Sequence, residues 1–319
     1  MTAVEIYSES PVHHKFNKSV LMEHCMLSQE LDEYLFTGSL VYYEHLSLDP
    51  FIAASFILQN TKHHIPLIAL QPYTLQPFTA AKIVHSLASL YQRKVYLNIV
   101  SGQVSSEFDE IGDQLGKNER YLRLIEFTQI LRLLLSTNEP LTFNGQYYQY
   151  KNLRINSALP LELMPKIFIA SGSSSAESLD AASKVGDVLV SMSTSMHQYR
   201  QQFSEVIAEK KLELGIKVNI IAGQTREEAL SKAKKTHQFR VRAVTKSVIK
   251  DRLQLSDEEN DIFYPTNGDK GNAPMWIGSY DQIARYVSQY RDLGVKHFII
   301  QNANNAAIGK DVYEIFREE

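Results

Sequence analysis

Short apolar runs alternate along this chain with longer stretches in which apolar residues recur every three or four positions. The runs are VEIYS (4–8), SLVYY (39–43), PLIAL (66–70), VYLNIV (95–100), KIFIA (166–170), DVLVS (187–191), KVNIIA (217–222) and HFIIQ (297–301). Their length and β-branched content predict eight strands. Segments such as FTAAKIVHSLASLYQR, RYLRLIEFTQILRLLL and YDQIARYVSQYRDLG lie between them and predict amphipathic helices. Strands separated by helices pair in parallel, and several runs are apolar throughout, as expected where both faces of a strand are covered. Eight such units predict an α/β fold, a (β/α)8 TIM barrel forming one domain over residues 1–319.

Uneven spacing marks the insertions. Residues 101–117 are polar and contain glycine, residues 137–165 include FNGQYYQY, a turn or hairpin, and the largest insertion separates strands seven and eight. Within the last, DRLQLSDEENDIFYPTNGDKGNAPMW (251–276) reads as a loop. Three helix starts show the spacing of a capping box: Ser174 with Glu177, Thr225 with Glu228, and Ser279 with Gln282.

Composition narrows the function classes. Lys+Arg 33 against Asp+Glu 36 gives a net charge of -3, which offers no general attraction for nucleic acid or anionic lipid and turns attention to small molecules. No apolar stretch reaches the roughly 20 residues that span a bilayer, and the expected location is the cytoplasm. The single cysteine, Cys25, sits in LMEHCMLSQEL and reads as a packed helix residue rather than a nucleophile. No metal-ligand spacing occurs, so no metal is expected.

In a barrel, functional groups gather at the C-terminal ends of the strands. Glu44 and His45 end strand two, and a histidine there can carry a proton near neutral pH or simply pack against backbone. Asn98, Ser101 and Gly102 end strand four and offer amide and hydroxyl groups. Strand five ends in ASGSSSAES, where Gly172, Ser173 and Ser174 at a helix start read equally as an anion site and as an ordinary cap. No lysine or arginine adjoins them in sequence, so an anion there is expected to rely on backbone and hydroxyl donors. The run matches neither a P-loop nor a Rossmann turn. His13 and His14 follow strand one toward the mouth, whereas His63 and His64 precede strand three at the opposite face.

Six segments together, YEHLSLDPFIAAS, LQPYTLQPFTAAKIVHSLASLYQRKVYLNIVSGQ, NERYLRLIEFTQILRLLL, FNGQYYQYKN, PKIFIASGSSSAESLDAASKVGDVLVS and GSYDQIARYVSQYRDLGVKHFII, resemble the bacterial luciferase-like flavin-dependent monooxygenases, especially their alkanesulfonate branch. The resemblance implies a two-component enzyme in which a separate reductase supplies reduced FMN, O2 is co-substrate, and a flavin hydroperoxide oxidises a small organic substrate, free or carrier-tethered. It implies a phosphate site at Ser171, Gly172, Ser173 and Ser174, flavin contacts from Leu70, Gln71, Asn98, Ser101 and Tyr121, and catalysis by His45 beside Glu44. Members are often homodimers or larger homo-oligomers. Where the sulfonate enzymes read IRLHV this chain reads IKVNI, giving Lys217 and Asn219, and Lys270 and Trp276 stand in the late loop. These four are substrate-site candidates, with Tyr42, Tyr43 and Tyr264 suggesting a partly apolar pocket, and the resemblance does not carry over sulfonate as substrate. Two alternatives remain: deazaflavin (F420)-dependent hydride transfer, and a non-catalytic flavin-binding barrel.

Overall fold

The structure is a computed structural model that describes residues 4–10, 18–34, 36–102, 105–171, 175–209, 211–266 and 272–317. Its strands are β1 (Glu5–Glu9), β2 (Phe36–Val41), β3 (Ile65–Leu70), β4 (Tyr96–Ile99), β5 (Leu141–Asn144), β6 (Gln149–Leu153), β7 (Ile167–Ser171), β8 (Val188–Met192), β9 (Glu213–Gly223), β10 (Phe263–Tyr264), β11 (Met275–Ser279) and β12 (Val295–Ile300). Eight of them close a parallel barrel in the order β1-β2-β3-β4-β7-β8-β9-β12, with β12 returning to β1. The eight apolar runs of the sequence fall on these eight strands, and helices cover the outside.

Side-chain alternation divides the barrel into two cores. Tyr7, Leu40, Leu67, Phe168, Val188 and Ile299 fill the interior, while the other set packs between strands and helices. The N-terminal end is closed by ion pairs: Lys166 Nζ lies 3.0 Å from Glu5 and 3.1 Å from Glu213, whose carboxylate also holds His297 Nε2 at 2.9 Å. Burial opposes the charge on Glu5, but hydrogen bonds with His297, Tyr7 and Lys166 outweigh it and hold the carboxyl at about 2. That end is plugged, so the open end is the C-terminal one. His64 sits just ahead of β3, fully buried, with Nε2 2.5 Å from Ser39 Oγ, which is 2.6 Å from Ser8 Oγ.

The hairpin expected within 137–165 is β5 paired with β6. The largest excursion does lie between the seventh and eighth barrel strands, but residues 251–276 are not one loop. Ser256 caps the helix Asp257–Ile262 in a box with Glu259, and β10 pairs with β11, which extends the C-terminal half of β9 in parallel. Polar DEEN is favourable in a first helical turn, and the apolar MWIGS is masked in sequence by the Asn- and Gly-rich residues before it. The Ser279–Gln282 box forms. Thr225 accepts from the Glu228 N–H, but the Glu228 carboxylate turns to the N–H of Gln224. At the third predicted start the helix Ala176–Val185 has Ser175, not Ser174, at its N-cap. Among the described residues no helix is long and apolar enough to cross a membrane.

Candidate active site

A cavity of about 330 Å³ opens at the C-terminal ends of the strands, within the size range of small-molecule sites. Its floor is the last interior layer of the barrel, Leu40, Ala69, Val190 and Ile299, which is apolar. Tyr42 and Gln71, two residues beyond Leu40 and Ala69, form the polar wall with Asn98, in register with Ala69, and Lys217, in register with Ile299. Asn98 is 7% exposed, and its Oδ1 is buried with no hydrogen-bond partner among the described residues. Gly102 turns the chain there with φ 87°, and a Cβ at that position would stand 2.5 Å from the Phe108 ring, so only glycine fits.

The helix Lys117–Ser136 brings Lys117, Arg120 and Tyr121 to one rim. Its entry is fixed by a two-bond pairing of Arg123 with Asp113 at 2.8 and 2.7 Å, and the guanidinium holds the Asp113 carboxyl below its ordinary range. Arg120 stacks 4.2 Å over Phe108 and donates to the Leu115 carbonyl, while its Nε is buried with no partner among the described residues. Lys117 reaches Glu177, in the first turn of the helix Ala176–Val185, at 3.3 Å. Lys117 and Arg120, which sequence adjacency does not connect to strand five, thus share the cavity lining with Ser171. Ser171 lines the cavity with its hydroxyl 2.6 Å from that of Ser178. Gly172, Ser173 and Ser174 lie outside the described residues, as do Lys270, His13 and His14.

The same rim continues past Phe108, whose ring centre lies 5.0 Å from that of Tyr73, into phenolic and acidic groups. Tyr43, Tyr73 and Glu107 line it, with Tyr73 Oη 3.3 Å from Glu107 Oε2. Burial, followed by the Glu107 charge, pushes Tyr43 up to about 12 and Tyr73 further, so both phenols are donors at neutral pH. His45 stands edge-on to Tyr43, ring centres 5.7 Å apart, and is not on the cavity wall. Its Nδ1 is 2.8 Å from Glu110 Oε2, and its Nε2 is buried with no described partner. Glu110 thus orients the ring and leaves Nε2 unbonded among the described residues. Glu44 accepts a hydrogen bond from Ser47 through its backbone carbonyl and does not line the cavity.

Other sequence candidates are spread apart. Lys217 forms a buried ion pair with Glu9 and lies 5.6 Å from the Tyr42 ring centre. Asn219 uses its amide to hold the Ala273 carbonyl at 2.8 Å and the Gln301 amide oxygen at 3.1 Å, which anchors the late excursion rather than lining the cavity. Leu70 points into the outer core. Trp276 is fully buried against Tyr286 and Tyr290, because it faces the outer side of β11, and Tyr264 packs beside Phe239. Sequence reasoning missed Glu9, Tyr73, Glu107, Lys117 and Arg120. Of these only Arg120 had a signal, as the neighbour of Tyr121.

The luciferase-like monooxygenase family matches residues 10–297. The chain belongs to that family. By family it is a monooxygenase enzyme. It is 32% identical over 317 residues to the 4-(gamma-L-glutamylamino)butanoyl-[BtrI acyl-carrier protein] monooxygenase BtrO of Niallia circulans, covering 94% of this chain and 92% of that protein. In structure it is similar to the EDTA monooxygenase of Chelativorans sp. BNC1, with a TM-score of 0.78 at 13% identity over 99% of this chain and 94% of the other. It is also similar to the oxygenating constituent of 3,6-diketocamphane monooxygenase from the CAM plasmid of Pseudomonas putida in complex with FMN, with a TM-score of 0.74 at 13% identity over 99% and 98%. These structural likenesses establish the barrel.

Proposed function

We propose that this protein is an FMN-dependent two-component monooxygenase that takes reduced flavin from a separate reductase and oxygenates an acyl group borne on a carrier protein. The observation that carries the proposal is the cavity itself. An apolar floor, an unbonded buried acceptor at Asn98 and a basic rim on one side fit a flavin ring with an anionic tail. The 32% identity to the carrier-protein monooxygenase, across nearly all of both chains, supports the substrate class.

In this reading Lys117 and Arg120 hold the phosphate together with the helix start after β7, where oriented N–H groups favour an anion. Gln71, Asn98, Ser101 and Tyr121 hold the ring. Reduced FMN, when bound, supplies the electrons that activate O2 for transfer of one oxygen atom to the substrate. The protein's part is to orient, to exclude water with the packed barrel floor, and to manage protons. His45 holds or releases a proton at Nε2 with Glu110 fixing its other nitrogen, and Tyr43 and Tyr73 donate hydrogen bonds. Lys217 is neutralised by Glu9 and shapes the wall.

The test is direct. The protein is mixed with FMN, NADH, a flavin reductase, O2 and BtrI acyl-carrier protein bearing the 4-(gamma-L-glutamylamino)butanoyl group, and the intact carrier is weighed by mass spectrometry. Gain of one oxygen atom, dependent on both FMN and the reductase, is expected. No gain under these conditions, with turnover appearing only when a deazaflavin replaces FMN, would move the protein to hydride transfer.

A further inference from the structure

Between residues 232 and 252 the chain carries eight lysines and arginines and one acid, Asp251, although the whole protein has a net charge of -3. This segment runs from the end of the helix Arg226–Lys234 through the helix His237–Leu253, inside the excursion between β9 and β11. Arg240, Val244, Val248 and Arg252 are spaced four residues apart, so they form one stripe along the second helix. All four are exposed, Val244 by 65% and Val248 by 77%. Among the described residues neither Arg240 nor Arg252 makes an ion pair, and the same holds for exposed Lys234 and Lys235. Valine gains little from an exposed helix position, and two unpaired guanidinium groups bracketing an apolar pair complement an amphipathic acidic helix.

Another side of the same helix is bonded to the cavity mouth. Arg242 donates to the Ala273 carbonyl at 2.8 Å, and the Ala273 N–H donates to the Gln301 amide oxygen at 2.8 Å. Gln301 Nε2 donates to Glu9 at 3.2 Å, and Glu9 is paired with Lys217 of the cavity wall. Lys246 lies 4.3 Å over the ring of Tyr264 in β10. The helix that carries the stripe is thus tied to the cavity wall through Ala273, Gln301 and Glu9.

We infer that this stripe is the docking surface for an acidic carrier protein, which sets the anionic phosphopantetheine arm over the mouth. The inference rests on the carrier-borne function proposed above and names the surface that reads the carrier. Exposed Lys234 and Lys235 strengthen the field around the stripe and speed encounter. Arg242, by contrast, is committed to the Ala273 carbonyl and belongs to the scaffold beneath.

Calorimetry with holo BtrI acyl-carrier protein as the probe tests it, using the wild-type chain and the double variant R240E/R252E. Both substituted side chains are exposed and lie outside the cavity, and equal melting temperatures and FMN affinities establish that the fold is intact. Reversal of the two charges is expected to weaken carrier binding by about tenfold or more, and raising salt from about 50 to about 500 mM to weaken wild-type binding in the same direction. Turnover of the same acyl group on free pantetheine is expected to be unchanged in the variant. Carrier affinity within about twofold of wild type in the variant, or no carrier binding by the wild-type chain, overturns the docking surface while leaving oxygenation of the pantetheine thioester to stand. Carrier bound through the stripe with neither acyl substrate oxygenated overturns the proposed function and leaves the surface in place.

Discussion

Removing the ammonium of Lys217 exposes how the cavity wall is held. Lys217 and Glu9 are each about nine-tenths buried, their charges face each other, and Gln301 supplies Glu9 with a further hydrogen bond at 3.2 Å. Truncating one member of a buried pair leaves the other charge without compensation, which costs on the order of 3 to 5 kcal/mol. Gln301 and the cavity's access to water reduce that figure, so Lys217→Met is expected to cost about 3 kcal/mol. Lys217→Met with Glu9→Gln removes both charges, and its cost should be about 1 kcal/mol, because the remaining amide still bonds to Gln301. Urea unfolding of the wild type, both single variants and the double variant gives the full cycle. A Lys217→Met penalty below about 1 kcal/mol, or a double variant as unstable as the single one, would refute this account of the wall.

Three further outcomes follow from other parts of the molecule. Burial pushes His64 down to about 4, so the unfolded chain takes up its proton near 6.5 while the folded one does not. The stability this confers is complete above pH 6.5 and falls by up to about 3 kcal/mol as pH drops to 4, a slope that His64→Gln should flatten in pH-dependent urea melts. A Cβ at Gly38 would sit 1.8 Å from the Ile65 carbonyl oxygen across the β2–β3 pair, so Gly38→Ala should cost more than about 4 kcal/mol or prevent folding; a melting temperature within a few degrees of wild type would contradict the placement. Arg120→Gln should weaken reduced FMN by on the order of tenfold with little effect on riboflavin, and equal weakening of both ligands would remove Arg120 from the phosphate site.

The barrel was readable in the chain because each strand carries its own signal. Runs such as PLIAL and KIFIA are apolar from end to end, and only a strand covered on both faces needs that. Closure of the ring and the inward direction of Asn98, Gln71 and Lys217 then follow from alternation along strands of known ends. Side chains brought in from other elements carry no such signal. Lys117 and Arg120 lie more than fifty residues from Ser171, with which they share the cavity lining, and only the fold brings them together. Glu9 reads in sequence as a polar residue at a strand end, and its role appears only when Lys217 is opposite. His45 shows the reverse limitation: it follows β2, in a turn four residues past Val41, but a neighbouring tyrosine takes the wall. The basic stripe was hidden by averaging, since a net charge of -3 over 319 residues conceals a local excess confined to two helices. Trp276 failed as a pocket residue because an apolar strand, β11, was read as loop.

The central claim is that the open end of this barrel is built for reduced FMN and O2 chemistry. Anaerobic titration of the protein with oxidised FMN, reduced FMN and a deazaflavin, followed by flavin absorbance and fluorescence, addresses it most directly. Preference for reduced FMN, followed on admission of air by rapid O2-dependent reoxidation of the bound flavin, is the expected result. Tighter binding of the deazaflavin, or binding of none of the three, would contradict it.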